Sequence, residues 1–269
     1  HHHNTIDHQE TPNRTYFTGE TPAARTTYTG YAYQSVLENI SSGNPNICDS
    51  IDRLMSAIYH RLSFLDFLSD EVGIASAGQH YTYNLGNSAM NALCQGNSFT
   101  GAGHFYYQVC HPNIKIEKTR YDAQKRTERE HPLGYIIWPP ADATEVLPVF
   151  YEEMPDPLPD YGVSGYPISI QFNQDQVSTP ELLYFSLYRD GKRLEDTRLL
   201  TANNDPNHKL TAFEFVLFPL HRLDYNQGYD VKLGYRTAGQ EHHLEWHFQT
   251  QSLTLPLFSA NTTQNVLRV

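Results

Sequence analysis

The sequence predicts an α+β chain, and three observations carry that prediction. Asp52 to Ile74 places apolar residues at helical spacing and then opens a strand. A proline-dominated stretch follows near the middle of the chain. Beyond it the pattern is strands only, with apolar and polar residues alternating between turn signals.

At 269 residues the chain is long enough for one large or two ordinary domains, each with its own core. Its 39% hydrophobic and 13% aromatic residues are globular values, and 19 tyrosines exceed what a disordered chain carries. The net charge of -11 comes from acids that are scattered rather than blocked. It argues against nucleic acid and against an anionic membrane surface as partners. No apolar run approaches the ~20 residues of a spanning helix, so a soluble protein is expected.

Taken in order, His1-His2-His3 reads as the remnant of an affinity tag and carries no functional weight. A native N-terminal segment with a secretion signal is then expected to precede it. His8 to Gly30 is rich in Thr, Gly and Pro and reads as loop with one short helical turn. Ser41 to Pro45 is a turn cluster, and Ser50 suits the N-cap of the helix that follows. In that helix Leu54, Met55, Ile58 and Leu62 form one buried stripe. His60 and Arg61 close it, where the helix dipole favours a cation. A hairpin comes next: Val72 to Ala75, a turn at Ala77-Gly78, then Gln79 to Leu85 with Tyr81 and Tyr83 on one face.

Residues 87–129 are the least readable part, polar and Gly-rich and then basic, with Lys115, Lys118, Arg120, Lys125, Arg126 and Arg129 interrupted by acids. A solvated face or insertion outweighs an anion-binding patch there. Cys94 and Cys110 flank the Gly-rich part; they either close a loop or remain buried thiols. Cys48 reads as a small core residue. Tyr135 to Trp138 is a short strand, and Pro139 to Pro167 is extended and semi-rigid, as suits a linker. Five strands follow: Ile168–Phe172, Leu183–Arg189, Phe213–Leu217, Tyr229–Tyr235 and Leu244–Thr250. Turns fall at Asp190-Gly191 and at Asn226-Gln227-Gly228. Such spacing suggests an antiparallel β-sandwich of immunoglobulin-like shape. Phe258 to Val269 reads as a tail that continues onward.

Three side chains of the first half offer chemistry: His8, Glu38 and His60. Two imidazoles can ligate zinc or another divalent metal, and a carboxylate can orient a ligand or a bound water. Nothing in their spacing forces them together, and a hydrogen-bonded structural role is the commoner fate of each histidine. In the last strand His243, Glu245 and His247 share a face that could seed a metal site, but a solvated face explains the pattern better.

Gly30-Tyr31, Leu37-Glu38-Asn39-Ile40, Tyr59-His60-Arg61 and Glu71-Val72-Gly73-Ile74, in that order, resemble the CAP superfamily (cysteine-rich secretory, antigen 5, pathogenesis-related 1) in its bacterial SCP-like form. His8, Phe17-Thr18-Gly19, Pro22 and Arg25 fall in order along the same pattern. The resemblance implies a three-layer α-β-α sandwich with a surface cleft of two histidines and acidic residues, sometimes occupied by zinc. His8 and His60 would be the cleft histidines and the metal ligands, and Glu38 the acid. Ser56 falls where many relatives carry a glutamate, and Ala75 replaces a usual glycine. The implied organisation is a CAP domain over residues 1–138 with an insertion at 87–131, a Pro-rich linker over 139–165, and an Ig-like β-sandwich over 166–269. The function expected is that of a secreted, cell-surface or periplasmic bacterial protein whose cleft binds a divalent metal and a ligand. The alternatives are a metal-dependent hydrolase with Glu38 as base, or an adhesion module with a vestigial cleft. HExxH and Ser-His-Asp elbow motifs are missing from the sequence.

Overall fold

A computed structural model describes residues 6–111, 114–129, 133–253, 259–261 and 266–268. The histidine triplet and most of the C-terminal tail lie outside the described residues. The chain divides into two compact units, residues 1–136 with 171–179, and residues 137–170 with 180–269.

The first unit opens with helix α1 (Pro22–Tyr28), whose N-cap Thr21 accepts a hydrogen bond from the Ala24 amide at 3.2 Å. Pro22 at the first helical position has no amide hydrogen to leave unpaired there. Strand β1 (Leu37–Ser42), helices α2 (Ile47–Ser56) and α3 (Ile58–Phe64), and strands β2 (Glu71–Ala77) and β3 (His80–Gly86) follow. The strands form an antiparallel sheet in the order β1-β3-β2. Its register sets Asn39 and Ser41 beside Tyr83 and Tyr81 on one face, against which α2 and α3 pack. Tyr81, Tyr83 and Leu85 are buried there, which period-two alternation requires of a half-covered strand. The other face carries Glu38, directly across from Asn84.

The apolar stripe is where the sequence puts it: Leu54, Met55, Ile58 and Leu62 are all buried. The single helix expected there is instead two, broken at Ala57, which sits in the extended region. Arg61 accounts for the break. Its side chain is wholly buried, with Nε donating to the Met55 carbonyl at 2.6 Å and Nη2 to the Ser56 carbonyl at 3.4 Å. It thereby satisfies carbonyls that the end of α2 leaves without helical partners. The N-cap of α2 is Asn46, not Ser50, because the Asn46 side chain reaches the Asp49 amide. Ser50 lies buried within the helix against Ser41 and the Tyr83 hydroxyl. Cys48 is exposed rather than in the core, since it sits one residue into the outer first turn of α2.

Residues 87–129 hold helix α4 (Ser88–Cys94), strands β4 (Phe105–Tyr106) and β5 (Ile116–Glu117), and helix α5 (Lys118–Arg129). Cys94 and Cys110 form a disulfide, which settles the choice the sequence left open. Around it Tyr33, Met90, Leu93 and Ile116 make a buried cluster.

From residue 135 onward the described elements are all strands: β6 (Tyr135–Trp138), β7 (Ala143–Val146), β8 (Ile168–Phe172), β9 (Glu181–Arg189), β10 (Lys192–Arg193), β11 (Thr197–Leu200), β12 (Glu214–Pro219), β13 (Gly228–Thr237), β14 (Gln240–Thr250), β15 (Ser259–Asn261) and β16 (Val266–Arg268). They build a five-stranded sheet, β10-β9-β13-β14-β7, a four-stranded sheet, β11-β12-β8-β6, and the small pair β15-β16. The β9–β10 and β13–β14 connections turn on Asp190-Gly191 and Ala238-Gly239, all with positive φ, the backbone twist that two-residue hairpins need. Segment 139–165 contributes β7, and it buries Phe150 and Leu158.

The layered fold class expected from the sequence is corrected here. Strand makes up 34% of the chain and helix 17%, so the molecule is mostly β. The five described helices run only 7 to 12 residues, too little helix for two layers enclosing a sheet. Among the described residues, no helix is long and apolar enough to cross a membrane.

Candidate functional site

The outer face of β1 carries the chemistry. Glu38 projects from it with a side chain only 2% exposed. A buried carboxylate must be paired, and two partners meet it. Arg25, from the last turn of α1, donates through Nη2 to Oε1 at 2.7 Å and to Oε2 at 2.8 Å. His8 donates from Nδ1 to Oε1 at 3.0 Å. Arg25 Nη1 also donates to the His8 carbonyl at 3.1 Å, so one guanidinium holds both the carboxylate and the backbone that carries the imidazole.

This arrangement fixes the histidine. A carboxylate only accepts, so Nδ1 carries the proton and Nε2 is the lone-pair nitrogen of the neutral ring. The His8 side chain is 52% exposed, which leaves the imidazole open to solvent while its partner is sealed. The N-terminal loop is held in place by Glu10: its amide donates to the Glu20 carbonyl at 2.9 Å and its carboxylate accepts from the Thr18 amide at 3.1 Å.

Of the residues proposed from sequence, the structure thus brings His8 and Glu38 together across 30 positions. Ser56 is elsewhere engaged: its hydroxyl donates to the Arg53 carbonyl at 2.7 Å within α2. His60 lies on α3, where its carbonyl accepts from Asn39 Nδ2 at 3.3 Å. Among the described residues, no three His, Cys, Asp or Glu side chains gather as a metal-holding group. Arg25 is the site residue that residue-type reasoning passed over. Its signal was its place in the ordered motif, three residues after Pro22.

The second face raised by the sequence, on β14, is a network of pairs. His247 Nδ1 meets Asp230 at 2.9 Å, Lys232 meets Glu245 at 3.1 Å, and the Tyr184 hydroxyl meets His243 Nδ1 at 2.9 Å. Trp246 and Phe248 are buried on the opposite face. That is the solvated face favoured from the pattern.

Compared with protein-family models and with curated proteins, the chain matches none.

Proposed function

We propose that the Arg25–Glu38–His8 face is a ligand-binding cleft of a secreted or cell-surface protein, with His8 as the group that meets the ligand. One observation carries the reading: a buried carboxylate, held by an arginine, orients a half-exposed imidazole through Nδ1. Structural histidines rarely need so costly a support, whereas ligating and proton-transferring ones do. The CAP resemblance supports the reading because His8, Arg25 and Glu38, separate in sequence, converge in space. The layered fold of that superfamily lends it no support.

The donor set fits zinc in one respect. A histidine with Nδ1 on a carboxylate offers Nε2 to a metal, the usual outer-shell arrangement. His8 would hold the ion through Nε2, and Glu38, with both oxygens engaged, would orient rather than ligate. His60, expected as the second ligand, stands on α3, which packs against the other face of the sheet. When bound, the metal would supply a Lewis acid that polarises water or a carbonyl. Zinc titration by calorimetry, on the whole chain and on His8→Ala and His8→Ala/His60→Ala variants, tests the assignment. Saturable binding lost on substitution is the expected result; undiminished binding in the double variant would overturn it.

A hydrolase is the second reading, favoured by the same Glu38–His8 bond. In it His8 would act as base, because Glu38 is already tied at both oxygens. Turnover that His8→Ala abolishes would favour the enzyme over the binding module.

A further inference from the structure

A groove of about 720 Å³ lies in the first unit, lined not by His8 but, among others, by Tyr106, Tyr121, Asp122, Lys125, Arg126 and Asp175. Its size is that of a small-molecule site. Its charges are unusual for this chain. Acids outnumber bases by 30 to 19, so a cation here does not lack for carboxylate partners. Asp122 is taken up by Lys118 and by the Tyr106 hydroxyl, which donates to Oδ1 at 2.9 Å. Lys125 has its ammonium 5.5 Å above the Tyr33 ring, and neither it nor Arg126 forms a hydrogen bond or ion pair with a described residue. Lys125 and Arg126 therefore line the groove beside an Asp122 that already holds Lys118, with Asp175 as the other carboxylate.

Tyr106 and Tyr121 supply the apolar part, with ring centroids 4.6 Å apart and planes inclined at 51°. We propose that this groove binds a phosphate monoester, its phosphate held by Lys125 and Arg126 and its organic group lying against Tyr106 and Tyr121. A guanidinium fork matches phosphate oxygens in geometry, and the ammonium adds a second charge. The acidic remainder of the chain does not forbid an anion, because charges more than about 8 Å away are largely screened at physiological salt.

The test is calorimetry on the full chain with two probes, phenyl phosphate and inorganic phosphate. Phenyl phosphate binds saturably and more tightly than inorganic phosphate, and Lys125→Ala/Arg126→Ala weakens it about tenfold or more with an unchanged thermal midpoint. Arg120→Ala, on the same helix but outside the groove lining, leaves the affinity within about twofold. Equal affinity for the two probes would overturn the role of the tyrosines. An Arg120→Ala loss as large as that of the double variant would reduce the effect to general charge and overturn the site, as would no saturable binding of either probe.

Discussion

Arg25 Nη2 stands within hydrogen-bond distance of both oxygens of Glu38, at 2.7 and 2.8 Å, and the carboxylate it holds is almost wholly removed from water. Removing one member of such a pair leaves an uncompensated buried charge. Arg25→Met is therefore expected to lower unfolding free energy by about 3 kcal/mol, read by denaturant titration. Arg25→Met/Glu38→Leu should recover most of that loss, since neither charge is then stranded. A single-variant cost below about 1 kcal/mol would mean that the carboxylate reaches water in solution.

Arg61 offers a second, independent test. Its guanidinium, carried on α3, is buried and donates to the carbonyls of Met55 and Ser56 at the end of α2. Arg61→Met keeps much of the volume but leaves those carbonyls unpaired, at an expected cost of about 2–4 kcal/mol. Arg61→Lys keeps the charge yet lacks the fork, and should recover only part of the loss. Equal stability of the Lys variant and the parent would show that charge alone suffices.

The same two arginines mark the limit of what the sequence discloses. The stripe of Leu54, Met55, Ile58 and Leu62 is written in a period of 3.6, and so its burial is readable. The break at Ala57 is not, because its cause is a side chain four residues later turning back on the chain. Likewise His8, Arg25 and Glu38 lie on a loop, a helix and a strand, and only the tertiary fold brings them together. Alternation revealed β8, β9 and β12–β14 for the same local reason. Strand β7 escaped notice because Glu145 has positive φ and its partner β14 is distant in sequence. Helical layers were expected from motif resemblance, not from periodicity, and that is where the fold class departed from expectation.

Tyr31 links stability to alkaline pH. Its hydroxyl donates to the Asn87 carbonyl at 3.2 Å and accepts from the Asn87 amide at 2.7 Å. Burial, reinforced by the Glu71 carboxylate, pushes its pKa well above the ordinary phenol value. The unfolded chain ionises first as pH rises, so the contribution is intact below about pH 10 and is lost progressively above it. Denaturant unfolding between pH 8 and 11 should show stability falling with pH, and Tyr31→Phe should flatten that limb. The variant is also about 1 kcal/mol less stable at pH 7, because the Asn87 amide loses its acceptor. Tyr121 and Tyr229 are shifted in the same direction, so the slope diminishes without vanishing. An unchanged slope in Tyr31→Phe would show that the phenol is not sealed.

Gly234 and Tyr184 make the sharpest test of the five-stranded sheet. The Tyr184 ring on β9 lies over Gly234 on β13, so close that a Cβ there would stand 2.4 Å from the ring's Cε1. The ring lies 17° from the plane of His243 on β14, to which its hydroxyl is bonded. Gly234→Ala must drive the ring off and sever that bond, at an expected cost of about 1–2 kcal/mol. In a Tyr184→Ala background the obstruction is gone. Alanine is then favoured over glycine in a strand by roughly 0.5 kcal/mol, so the same substitution becomes neutral or stabilising. A double-mutant cycle reads that reversal as a coupling of about 1–2 kcal/mol. Additive effects would mean that the tyrosine does not rest on the glycine in solution, and the strand's tolerance of glycine would need another cause.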